Sequence, residues 1–190
     1  MSNNSYLNLI VLLAAISSLI VVVATTNTGS VFAKQKFHAT LSGAEEVPPV
    51  DTKAGGDATF TTMKNDTAIK YKVNVTGLSD ATGAHIHSGK KGENGDVIVD
   101  LLKDSKHNPT KLGMAIRGNI SDSSLVGPMK GKTVADLISA MNNGDTYTNV
   151  HTQEHQKGEI RGQIEMSSNA TGTSSSIDMT LNNATAVPTQ

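Results

Sequence analysis

The chain has 190 residues, 16 basic and 17 acidic side chains, a formal net charge of −1, no cysteine, no tryptophan and 3% aromatic residues. Charge this evenly balanced argues against a nucleic-acid binder, which needs a basic patch or stripe. The lack of cysteine excludes a disulfide framework and any thiolate metal site, so a core has to be built from Val, Ile, Leu, Met and Ala.

Residues Met1 to Ala33 carry no charged side chain, and Leu7 to Ala24 is apolar except at Asn8, Ser17 and Ser18. A run of that length can span a hydrocarbon core as a helix. Val31-Phe32-Ala33 resembles a signal-peptidase site, with Lys34 as the new N-terminus. A positive n-region is missing, so an uncleaved signal anchor stands as the alternative to a cleaved signal peptide. The expectation is an exported protein, outside the cell or on the outer face of the cytoplasmic membrane, with membrane contact only through residues 1–33.

From residue 34 to 166 the pattern is that of strands. Phe37, Ala39 and Leu41 alternate with polar neighbours, Ala58 to Thr61 is rich in threonine, and Ile69, Tyr71, Val73 and Val75 share one face of a half-buried strand. Further short strands are expected over Gly83 to His87, Val97 to Leu102, Met114 to Ile120, Tyr147 to His151 and Glu159 to Ile164, separated by glycine-bearing turns. About seven or eight strands at this spacing predict an antiparallel sandwich or barrel. One helix interrupts them: Val134, Leu137, Ile138 and Met141 stand at i, i+3, i+4 and i+7. Thr133 and Asp136 form a capping-box pattern, and Asn143-Gly144 ends the helix. Residues 167–190 are Ser, Thr, Asn and Ala with one charge, Asp178, and are read as a flexible tail. Asn-x-Ser/Thr triplets at Asn65, Asn74, Asn119, Asn169 and Asn183 are possible glycan sites in an exported chain.

The chemistry-bearing segment is Gly83-Ala84-His85-Ile86-His87. In a strand His85 and His87 share a face, so two imidazoles can converge on one metal ion, and His151 in Asn149-Val150-His151-Thr152 is the candidate third ligand. An all-imidazole set suits copper first, by the affinity order, and zinc second. Three histidines on zinc with an open position can also activate water. The available carboxylates for such hydrolysis are Glu45, Glu46 and Glu159, none an obvious base. Arg161 is expected in an internal ion pair with Glu159 or Glu46, and the Gly89 to Gly95 loop is expected to be a turn, with neither a nucleotide-loop nor an EF-hand pattern.

Leu41-Ser42-Gly43-Ala44-Glu45-Glu46-Val47-Pro48-Pro49, Gly83-Ala84-His85-Ile86-His87, Tyr147 with Asn149-Val150-His151-Thr152, and Gly158-Glu159-Ile160-Arg161-Gly162-Gln163-Ile164 occur in order, and together they resemble a chordin-type (CHRD) domain running from Phe37 to Ile164. The resemblance implies an extracellular or surface immunoglobulin-like sandwich or barrel, likened to the copper-zinc superoxide dismutase fold, and no established activity. Catalytic dismutases also use a metal-bridging histidine, a zinc-bound aspartate and a disulfide. Of the remaining histidines, His38, His107 and His155 do not supply that set, which leaves a single-ion site. The function expected is a non-catalytic extracellular module that binds a protein, a glycan or a surface layer. The alternative is a copper- or zinc-binding protein, redox-active through His85, His87 and His151.

Overall fold

The computed structural model describes residues 34–63, 66–78, 80–103, 105–110 and 113–167. The expected signal segment, the tail beyond Ser167 and the triplets at Asn65, Asn169 and Asn183 lie outside the described residues.

The domain is all-β with one short helix, as its periodicity predicts. The strands are β1 (Lys36–Ser42), β2 (Gly55–Thr62), β3 (Ile69–Thr76), β4 (Ala81–Ser88), β5 (Val97–Asp100), β6 (Lys106–Thr110), β7 (Gly113–Ile120), β8 (Thr146–Thr152), β9 (Ile160–Gln163) and β10 (Glu165–Met166). They form one antiparallel sheet in the order β5-β4-β8-β9-β1-β2-β3-β7-β6, with β10 also beside β1. The sheet curls into a nearly closed barrel. The Tyr71 hydroxyl on β3 donates to the Leu101 carbonyl, just past β5, at 2.7 Å. Ile98 and Val99 of β5 share one core with Ile116 and Ile120 of β7.

The inward positions are those that alternation predicts. Phe37, Ala39, Leu41, Ala58, Phe60, Ile69, Tyr71, Val73 and Val75 are buried, while Lys36, Thr40, Thr59 and Lys70 between them are exposed. Each large side chain so buried contributes about 1.5–3 kcal/mol. The predicted helix is present as α1 (Val134–Asn142), whose stripe Val134, Leu137, Ile138 and Met141 joins the core. Its capping box is made: Asp136 N–H donates to Thr133 Oγ1 at 3.3 Å, and Thr133 N–H donates to Asp136 Oδ2 at 2.8 Å. The chain leaves it through Gly144 at φ +71°.

Among the described residues there are ten strands where spacing suggested about seven or eight. The two that alternation misses are β10, only two residues long, and β6, which contains Pro109. Proline cannot donate to a ladder, and β6 lies at the edge of the strand order, where that loss is tolerated.

The strands on one side of the barrel depart from the inward–outward rule, β8 most of all. All seven residues of β8 are buried. Thr148 and Val150 share a side of β8, opposite the side carrying Tyr147, Asn149 and His151, which is covered by loops rather than by the core.

Phe60→Ala should cost about 3–5 kcal/mol, because the side chain is fully buried and scarce aromatics leave nothing to fill the gap. A denaturant titration of the full chain checks this, a loss below about 1 kcal/mol being the contrary result.

Candidate metal centre

The three predicted ligands do meet. β4 and β8 pair with Gly83 opposite His151, His85 opposite Asn149 and His87 opposite Tyr147, so all three histidines occupy one side of the two strands. A register shift between Ala81 and Gly83 sets Gly83, rather than Thr82, against His151. A side chain there would displace the His85 ring: a Cβ on Gly83 would stand 2.9 Å from His85 Cε1, and it would touch His151 Cδ2 at 3.5 Å. The missing side chain is the space the two rings occupy.

One ligand nitrogen from each of His85, His87 and His151 lies within 4.8 Å of the others. The ring centroids of His85 and His151 are 4.8 Å apart, and those of His87 lie 5.7 Å from His85 and 5.8 Å from His151. Nitrogens bound to one tetrahedral ion at 2.0–2.1 Å stand roughly 3.3 Å apart, so modest ring rotation closes the set.

Hydrogen bonds fix two of the tautomers. His87 Nδ1 is 2.9 Å from the Gly95 carbonyl, and His151 Nδ1 is 3.1 Å from the Gln156 carbonyl. A carbonyl only accepts, so each Nδ1 carries the proton and each Nε2 presents a lone pair. Those two Nε2 atoms and His85 Nδ1 are buried with no partner. Burial also keeps the rings neutral. Desolvation lowers all three pKa values below the usual 6.5, that of His151 to about 4 with added repulsion from His85 and His87. Three neutral imidazoles, each with one nitrogen within 4.8 Å of the others, are a donor set that fits copper or zinc.

The loop from Gly89 to Asp96 covers this side of the sheet, and the side chain that holds it is Arg161 of β9. Arg161 is 2% exposed. Its guanidinium donates to the Glu93 carbonyl at 2.7 Å, the Lys90 carbonyl at 3.1 Å and Asn94 Oδ1 at 3.2 Å, and it lies 3.5 Å from the Tyr147 ring centroid. Tyr147 in turn stacks on His87, with centroids 4.9 Å apart and planes 11° from parallel, and its hydroxyl accepts from Gly95 N–H at 3.2 Å. Gln163 Nε2 donates to the Gly89 carbonyl at 3.1 Å, and Asn94 Nδ2 donates to the Val47 carbonyl at 2.9 Å, beside the cis Val47–Pro48 bond.

Expectations for the charged groups are corrected here. Arg161 is not paired with Glu159, whose carboxylate instead accepts from Thr52 and Thr152 hydroxyls at 2.7 Å each. Nor is it within ion-pair distance of Glu46, although its charge is felt there. Burial pushes the Glu46 carboxyl up to about 7, against the pull of Arg161 and of an Asn149 amide 3.4 Å away. Glu45 pairs with Lys91 at 3.2 Å on the surface. The loop expected to be a plain turn is the lid of the site, and Tyr147, Asn94 and Gln163 are members that sequence reasoning did not assign. The signal for Tyr147 was its alternation with Asn149 and His151. For Asn94 there was none, because its role depends on which strand the loop folds over. His38 and His155 lie outside the cluster.

An antiparallel β-barrel that carries a loop-covered, three-histidine cluster on the side of its wall away from Thr148 and Val150 defines the class of protein. The chain belongs to the CHRD domain family, which it matches over residues 37–164. It is 27% identical over 140 residues to Chordin of Xenopus laevis and 30% identical over 142 residues to Chordin of Danio rerio; each match covers 70% of this chain and 13% of the relative. The chain thus corresponds to a small part of those much longer proteins.

Two predictions follow from the geometry. A histidine whose folded pKa is depressed contributes fully above its unfolded value of 6.5, and that contribution is lost as pH falls through the folded value. For His151, at about 4, the difference is on the order of 3 kcal/mol. Glu46 works the other way: with a folded pKa of about 7 it stabilises below 4.5 and loses that contribution as pH rises through 7. In a Glu46→Gln chain free of metal, unfolding free energy should therefore fall as pH goes from 6.5 to 4, and NMR titration should place His151 near 4. A His151 midpoint at 6.5 would mean an open, solvated site. Separately, Arg161→Met should cost about 3 kcal/mol or more by stranding the Lys90 and Glu93 carbonyls, measured by chemical denaturation.

Proposed function

We propose that this CHRD protein is an exported, non-catalytic binding module that carries one copper or zinc ion on His85, His87 and His151. The observation that carries the metal reading is the set of three buried, unpartnered ring nitrogens. Leaving a buried polar atom unsatisfied costs about 1–3 kcal/mol, and a cation held among the three rings would give the orphaned nitrogens a partner. Copper is the preferred ion because imidazole ligands suit it and it heads the divalent affinity order. His85 is half-buried, which gives the ion a route in.

The non-catalytic reading is supported by the state of the carboxylates. Glu45 and Glu159 are engaged elsewhere, and Glu46 is held beside Asn149. Export is supported by the charge-free, apolar stretch ahead of Lys34 and by the kinship with Chordin. An extracellular protein, a glycan or a surface layer is the partner class in view.

The test is metal content. The full chain in neutral detergent is loaded with copper or zinc, dialysed and measured by elemental analysis beside His85→Ala/His87→Ala and His151→Ala variants. The expected result is one ion per wild-type chain and none in the variants. At a hundredfold excess over Kd, the ion should also add about 2.7 kcal/mol of stability to the wild type alone. A folded wild type that retains no ion would leave the histidines structural.

A further inference from the structure

Away from the histidines, the opposite half of the sheet presents a bare outer face with an uneven charge. The register lays Lys72 of β3 directly opposite Arg117 of β7, and Arg117 directly opposite Lys106 of β6. One pair along, Lys70 on β3 stands two positions from Lys72, opposite Thr61 of β2, which is itself opposite Lys36 of β1. Neighbours across strands are about 4.8 Å apart, and Lys70 and Lys72 are about 6.6 Å apart along theirs. Like charges directly opposite one another destabilise a sheet. Here three occur in one row, in a chain whose net charge is only −1.

Among the described residues, no ion pair involves Lys34, Lys36, Lys70, Lys72, Lys106 or Arg117. Asp57 of β2 lies one row further off, where it accepts from the Asn74 amide at 3.2 and 3.4 Å. Glu165 is at the far margin, opposite His38. The cations also surround two adjoining hollows. One, of about 650 Å³, is lined by Lys34, Thr59, Thr61, Lys70 and Lys72 among others, and the second, of about 540 Å³, by Lys70, Lys106, Arg117 and Asn119. Lys70 is common to both, so they form a run across the strands rather than a closed pocket.

We infer that this face, along the Lys72–Arg117–Lys106 row and its two hollows, binds a linear acidic polysaccharide. The chemistry of the lining chooses among polyanions. A single-stranded nucleic acid needs aromatic platforms for its bases, and the exposed large apolar side chain here is Met63. A membrane surface is gripped by aromatic and aliphatic anchors as well as by charge, and one methionine does not supply them. What the hollows offer beside cations is hydroxyl and amide groups, from Thr59, Thr61 and Asn119, which match sugar hydroxyls. An extended run with charges at its floor admits a chain of carboxylated or sulfated sugars, with counterion release as the driving term. Asn119, opposite Lys70, begins an Asn-x-Ser triplet, and a glycan attached there would cover the face.

The experiment uses the full chain, made without glycosylation and held in neutral detergent, with dextran sulfate and polygalacturonate as probes and neutral dextran as control. Both acidic polymers should bind and neutral dextran should not, with affinity falling at least tenfold, roughly, between about 50 and 200 mM salt. Lys70→Gln/Lys106→Gln/Arg117→Gln, all at exposed positions, should keep the wild-type melting temperature and lose about tenfold or more in affinity. Lys130→Gln/Lys132→Gln/Lys157→Gln removes the same charge elsewhere on the surface and should stay within about twofold of wild type, since those cations are not on the face. The His85→Ala/His87→Ala variant should bind the polymers normally, which separates this inference from the metal reading. Equal losses in both lysine–arginine sets, no binding to either acidic polymer, or tighter binding to anionic vesicles or single-stranded DNA would each overturn it.

Discussion

The arrangement turns on a guanidinium buried on a barrel wall. Taking Arg161 out of water costs several kcal/mol unless its donors are used, and the groups that use them are mostly backbone carbonyls of one loop. Satisfying the arginine therefore means laying residues 89 to 96 across Tyr147 and His87. That act converts an ordinary outward strand face into an interior. It explains why β8 is buried on both sides, why its outward residues can be Tyr, Asn and His, and why water is kept from the histidine nitrogens. The same loop returns the favour at Gly95, whose carbonyl orients His87 and whose N–H is taken by Tyr147.

The histidine cluster inherits its chemistry from that cover. Exposed imidazoles near pH 7 would be partly protonated and would repel each other; desolvation removes the charge and leaves lone pairs. Backbone carbonyls then decide which nitrogen is free. Gly83 is the steric counterpart of this electrostatic arrangement, since a side chain there would push the His85 ring from its place. Neutrality, tautomer and space thus come from three separate sources, none of which is another ligand.

The two halves of the barrel wall are used differently. Across β4, β8 and β9 the outward side chains are drawn inside by loops, and polar groups are matched one by one. Across β2, β3, β7 and β6 cations stand in register without carboxylate partners among the described residues. The one core thus carries two unlike outer faces, one covered and matched group by group, the other open and cationic.

Much of this was legible in the residues themselves. Alternation in β1 and β3, the Val134–Met141 stripe with its Thr133 cap, and the His85–His87 spacing depend on periodicity, which local stereochemistry enforces whatever the rest of the chain does. β6 was not legible, because Pro109 masks a strand whose edge position is set only by the sheet order. That His151 completes the cluster was an expectation from type and context; its distance to His85 is set by a β4–β8 register that slips by one residue before Gly83. Arg161's partners could not be read at all, because they are backbone carbonyls, which have no identity in a sequence. The row Lys72–Arg117–Lys106 was equally invisible: net charge sums over the chain, whereas pairing of distant strands decides which charges stand side by side. The sequence by itself determined which residues point in, which point out and which can ligate. Tertiary structure decided which outward residues are buried and which charges meet, because both depend on loops and strands brought together from far apart in the chain.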